Sequence, residues 1–139
     1  MPVMFKTVLF PIDQSREARE AAEVVANIVQ KYGSSLVLLS VLEVRDSEDP
    51  PSEEVMASPE AVAQLLSNAQ SLFTQQGIQA ETIEREGKPA FVICDVADEI
   101  GANLIVMGCR GLGLTEEGVT DSVTNRVINL SPCPVLIVP

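Results

Sequence analysis

The chain has 139 residues, 46% of them hydrophobic, and carries 20 acidic against 9 basic side chains, a net charge of −11. That length suits one domain with a full core, no apolar run approaches a membrane span, and an acidic surface without a basic patch argues against nucleic acid and anionic lipid as partners. Histidine is absent and the three cysteines (Cys94, Cys109, Cys133) stand far apart without a CxxC pair, which excludes an ordinary zinc site and histidine-dependent catalysis. The segment Met1 to Lys6 lacks the basic flank and apolar stretch of a signal peptide, so a cytoplasmic protein is expected, with its cysteines serving as small apolar side chains.

Val8-Leu9-Phe10-Pro11-Ile12 predicts a first strand ending at Asp13. Ser15 then caps a helix whose apolar face is Ala18, Ala21, Ala22, Val25, Ile28 and Val29, closed by Gly33. Leu36 to Leu42 is a near-continuous apolar strand, as expected for burial on both faces. Between Glu43 and Glu54 there are six acids against the single Arg45, along with Pro50-Pro51. Residues 43–57 therefore read as a mobile acidic surface loop, the alternative being a lid or docking site. Ser58-Pro59-Glu60 starts the next helix, with serine as N-cap and proline at the first helical position, and Val62, Leu65, Leu66, Ala69, Leu72 and Phe73 carry it to Gly77. Ile78 to Arg85 alternates like a half-exposed edge strand. Lys88 to Ile100 predicts a helix with Phe91, Val92, Val96 and Ile100 inward, closed by Gly101. Leu104 to Met107 is a fourth strand, Asp121 to Leu130 the last helix, and Val135 to Val138 a fifth strand. Strands alternating with helices imply a three-layer α/β/α sandwich with a five-stranded parallel sheet and right-handed crossovers. No repeat or linker divides the chain, so residues 1–139 form one domain.

The informative junction is Gly108-Cys109-Arg110-Gly111, directly after the fourth strand. A strand emptying into a glycine loop, followed by the helix start Asp121-Ser122-Val123-Thr124, supplies the parts of an anion cradle: bare N–H groups and a positive dipole end. Ligands of such sheets bind beyond the carboxyl ends of the strands, where the strand order reverses. With the order 3-2-1-4-5, Pro11-Ile12-Asp13 and Met107-Gly108 flank that point. The GxxxxGK[ST] loop is absent, and the first strand runs into Asp13-Gln14-Ser15 rather than a GxGxxG turn.

Three blocks then carry a family resemblance: Val8 to Ser15, Ala102 to Gly111, and Asn125-Arg126-Val127 with Ser131-Pro132-Cys133-Pro134 and the last strand. In this order they resemble a universal stress protein over essentially the whole chain. Nucleotide-binding members carry G-x-x-G, nine residues, then G-[ST]. Here Gly108-x-x-Gly111 is followed by nine residues and Asp121-Ser122, so aspartate stands in place of the third glycine. The resemblance implies an adenine nucleotide alpha hydrolase-like fold and a cytoplasmic protein of stress response or signalling. Its ligand would be ATP, ADP or AMP, with Mg²⁺ as a possible companion. By resemblance, Asp13 and the backbone of Pro11 lie beside the ribose and adenine, and Val41 meets the base through its main chain. Gly108, Gly111 and the start Ser122-Val123-Thr124 would hold the phosphates, and Met107 and Arg110 belong to the nucleotide site as well.

Several residues keep two readings. Asp13 either caps the following helix with Ser15 or faces the ligand. Gly108 and Gly111 either serve only as turn residues or admit a phosphate. Arg110 pairs with phosphate or with Glu116 or Glu117. Cys109 reads as an inert thiol, the alternative being a redox-sensing one beside Arg110. Asp121 is a good helix N-cap, and in that role the protein fills its cradle with its own anion. Two unit charges 4 Å apart repel by about 1 kcal/mol in water and about 4 kcal/mol at an effective dielectric of 20. Asp121 could instead be a Mg²⁺ partner beside the phosphates. Two functions follow: an adenine-nucleotide-binding protein with at most very slow ATP hydrolysis, or a nucleotide-free homodimeric adaptor whose cradle Asp121 closes. In both, Val135, Leu136, Ile137 and Val138 form an uncharged edge that pairs with its copy, and the resemblance implies the same dimer.

Overall fold

Apolar runs with no polar face need cover on both sides, and the computed structural model provides it. It describes residues 5–12, 16–43, 59–108 and 123–138. The elements run β1 (Thr7–Pro11), α1 (Arg16–Tyr32), β2 (Ser35–Glu43), α2 (Pro59–Gln75), β3 (Ala80–Gly87), α3 (Pro89–Ile100), β4 (Leu104–Gly108), α4 (Val123–Leu130) and β5 (Val135–Val138). The five strands form one parallel sheet in the order β3-β2-β1-β4-β5, as the sequence predicts.

Alternation along the central strands divides the core in two. Val8, Phe10, Ile12, Leu36, Leu38, Leu104 and Val106 pack with Ala21, Val25 and Val29 of α1 and Val62, Leu66 and Phe73 of α2. Leu9, Val37, Leu39, Val41, Ile105 and Met107 pack on the other face with Ala90, Ile93, Val96 and Ala97 of α3 and Val127 of α4. Phe10 meets Phe73 edge to face, with ring centroids 6.3 Å apart. Burying each of the Val, Leu, Ile, Phe and Met side chains contributes about 1.5–3 kcal/mol, so this double core is the main source of stability.

Helix ends follow local rules. Pro59 and Pro89 each open a helix, where a missing N–H is harmless. Gly101 ends α3 in the left-handed region at φ 64°, and Ala102 donates its N–H to the carbonyl of Ala97 at 2.9 Å. Three expectations need correction. Phe91 is 50% exposed rather than inward, because the buried face of α3 is centred on Ala90, Ile93, Val96 and Ala97, and Phe91 lies about 100° round the helix from Ala90. Leu72 is likewise exposed, since α2 buries Val62, Leu66 and Phe73. The edge strand β3 begins two residues later than predicted, with Ile78 buried in the turn before it, where its N–H bonds to Phe73. The acidic segment predicted over 43–57 lies outside the described residues, apart from Glu43 at the end of β2.

Candidate functional site

The strand order reverses between β1 and β4: α1 and α2 lead to one edge of the sheet through β2 and β3, while α3 returns to β4 on the other side. The carboxyl ends of β1 and β4 therefore flank a crevice, as the topology requires. Pro11 ends β1 and Gly108 ends β4. The start of α4 is tied to that end, because the Thr124 hydroxyl donates to the Gly108 carbonyl across a long 3.4 Å, and Thr124 is buried. Val123 beside it is 39% exposed. A helix start leaves its first N–H groups without intrahelical partners and carries the positive end of the dipole, so this corner favours an anion.

One wall of the crevice stands higher than the other. β2 pairs with β1 only as far as Leu39 opposite Pro11, then continues beside β3 to Glu43 opposite Gly87. Val41 thus projects beyond the end of β1. Its side chain is buried, as is that of Met107, both within the cluster under α3 and α4. With both side chains buried, only the main chain of these two residues is left to meet a ligand.

Main-chain directions show why the β1–β4 ladder stops where it does. Ile12 donates its N–H to the carbonyl of Leu39 at 2.8 Å, so its main-chain groups face β2. These directions alternate along a strand, which turns those of Leu9 and Pro11 toward β4. Ile105 donates to the carbonyl of Pro134 at 3.0 Å on the far side, so Leu104 and Val106 face β1. The β1–β4 register pairs Val8 with Leu104 and Leu9 with Ile105, and no further. The next rung needs an N–H from position 11 donated to the carbonyl of Val106. Proline has none. Sequence reasoning named Pro11 for its backbone but missed this consequence; the signal was a proline inside an otherwise central strand.

A second missed residue is Ser40, fully buried in β2 with no hydrogen-bond partner for its hydroxyl. An apolar run interrupted by one serine was the available hint. Of the predicted site residues, the structure brings Pro11, Met107, Gly108, Val123 and Thr124 to the same end of the sheet, with Val41 on the projecting strand. Asp13, Arg110, Gly111, Asp121 and Ser122 lie outside the described residues, as does Cys109. Among the described residues there is no group of three or more metal-ligating side chains, and no helix is long and apolar enough to cross a membrane.

The comparisons with known proteins agree with this architecture. The Universal stress protein family matches residues 4–139. Universal stress protein Sll1654 of Synechocystis is 63% identical over 141 residues, covering 99% of this chain and 87% of the relative. Among solved structures, a universal stress protein in complex with cAMP superposes with a TM-score of 0.80 at 22% identity, over 98% of each chain. One from Archaeoglobus fulgidus in complex with dAMP gives 0.72 at 22% identity, over 98% of this chain and 99% of that one. At that identity these two structures speak for the fold, whereas the family match and the Synechocystis relative span nearly the whole chain. The chain belongs to the universal stress protein family.

Proposed function

We propose that this protein binds an adenine nucleotide in the crevice between β1 and β4 and acts in the cytoplasm in stress response or signalling. The observation that carries the reading is the convergence of Pro11, Gly108 and the α4 start at the switch point, joined to the intact spacing Gly108-x-x-Gly111-x9-Asp121-Ser122. The two solved relatives in complex with cAMP and dAMP support the same ligand class. In this reading the main chains of Pro11 and Val41, with Asp13, hold the nucleoside. Gly108, Arg110, Gly111, Ser122, Val123 and Thr124 hold the phosphates, Met107 lines the site through its main chain, and Asp121 meets the phosphates directly or through Mg²⁺. The donor set fits such a ligand, since main-chain groups and a helix start recognise base and phosphate without histidine or a metal cluster. The protein is a binder that hydrolyses ATP slowly at most. It works as a homodimer paired through β5, and residues 1–139 act as one domain.

Asp121 favours a second reading, a nucleotide-free homodimeric adaptor, because a carboxylate occupies the position where nucleotide-binding relatives carry glycine. Isothermal calorimetry with AMP, ADP and ATP, each with and without Mg²⁺, separates the two. Saturable heat with at least one nucleotide supports the first; no heat and no thermal shift at millimolar concentrations of all three leaves the adaptor.

A further inference from the structure

We infer that Pro11 is a positioning residue: by withholding one N–H it keeps the last rung of the β1–β4 ladder unmade and so holds the crevice at the switch point open. β1 is central in the sheet and pairs with β2 at every one of its residues, so nothing about its outer neighbour limits it. On the β4 side pairing ends at Leu9 and Ile105, although both strands continue, to Pro11 and to Gly108. The bond from Ile12 to Leu39 fixes position 11 as the residue whose main chain faces β4, and that from Ile105 to Pro134 fixes Val106 as its would-be acceptor. Any other residue type at position 11 would bring a donor to that acceptor. The unmade bond also leaves the Val106 carbonyl turned toward the crevice without its strand donor, a group that a ligand or water can satisfy. The inference concerns the geometry of the crevice; its effect on affinity rests on the nucleotide reading above.

The test uses the full chain with Pro11→Ala, and Pro11→Val as a second variant with stronger strand preference. In the variants the amide of residue 11 should exchange with solvent as slowly as that of Leu9. A through-hydrogen-bond coupling should connect its nitrogen to the Val106 carbonyl carbon. If the nucleotide reading holds, AMP should bind about three- to tenfold more weakly than to the unmodified protein, the scale of one neutral hydrogen bond that must be given up on binding. An amide at position 11 that exchanges freely in both variants overturns the inference, because something other than the missing donor then separates the strands. A protected amide with unchanged AMP affinity overturns the positioning role. Failure of the unmodified protein to bind any nucleotide defeats the proposed function instead, and the exchange and coupling measurements still decide whether Pro11 keeps the strands apart.

Discussion

Single residues set the conditions under which the crevice can work. In the nucleotide reading Asp121 is the sharpest case, since a carboxylate beside a phosphate would repel it by about 1–4 kcal/mol per charge pair, depending on the local dielectric. Replacing it with glycine should therefore tighten ATP more than AMP, by about tenfold or more in the ratio of their dissociation constants. An unchanged ratio in calorimetry would place Asp121 away from the phosphates, and a loss of Mg²⁺-dependent ATP binding would mark it as the metal partner. Ser40 offers a different test. Its hydroxyl is buried without a partner, and an unsatisfied group of that kind costs about 1–3 kcal/mol. Ser40→Ala should thus leave stability unchanged or raise it by about 1 kcal/mol in urea unfolding, whereas a clear loss would reveal a hydrogen bond that the hydroxyl makes in solution. Cys94 and Cys133 are both held above the ordinary thiol range: burial is the main cause for each, reinforced at Cys94 by Asp95 and Cys133 and partly offset at Cys133 by the Ser131 hydroxyl. Each thus binds its proton more tightly folded than unfolded. The resulting stability is complete below the ordinary thiol range and declines as pH rises through the raised values. Peptide-resolved alkylation at pH 8 should be slower at both in the native protein than in denaturant; equal rates would contradict this. The sequence made Gly108 legible because an apolar run stopping at glycine is a local signal. It could not show that Ser40 lacks a partner, which depends on what surrounds its strand.

At the scale of elements, most starts and stops were legible because they depend on neighbours in the chain. Pro59, Pro89, Gly33, Gly77 and Gly101 mark helix boundaries through backbone rules that act over a few residues. The exposed faces of Phe91 and Leu72 were not, since a helix with apolar residues on more than one side does not reveal which stripe the sheet will cover. The two edges of the sheet differ in a way the sequence already encodes. β3 carries exposed Glu81, Glu84, Arg85 and Glu86, with Arg85 paired to Glu99 at 3.1 Å, and charges of this kind discourage strand pairing. β5 has no charge along it, its Leu136 is 37% exposed, and Ile128 and Leu130 of α4 are about half exposed. Antiparallel pairing of β5 with its copy would cover one edge, while β3 is protected by its own charges. Light scattering at micromolar concentration should accordingly give twice the mass of the chain. Ile137→Pro, which removes one ladder donor, should shift the protein toward monomer. A clean monomer before substitution refutes the dimer, and an unshifted dimer after it moves the interface elsewhere.

For the whole molecule, the order 3-2-1-4-5 could be anticipated because parallel strands joined by right-handed crossovers leave few arrangements, and the glycine loop after the fourth strand selects one. The division of the core also followed, since central strands without a polar face need helices on both sides. What the sequence left out was direction: which way the main chain of each strand points, and hence that a proline at the end of β1 stops pairing with β4. The net charge of −11 bears on the ligand as well, because an anionic nucleotide must be held by local donors against an unfavourable overall field. Affinity for it should therefore rise as salt is added up to physiological ionic strength. The central claim, an adenine nucleotide held at the switch point, is tested most directly by a residue-resolved NMR titration of the isotope-labelled protein with AMP. Saturable amide shifts should cluster at Val41, Gly108, Val123 and Thr124, leaving the opposite end of the sheet, around Thr7, Ser35 and Asn103, unmoved. No shifts at millimolar AMP, or shifts confined to other surfaces, would contradict it.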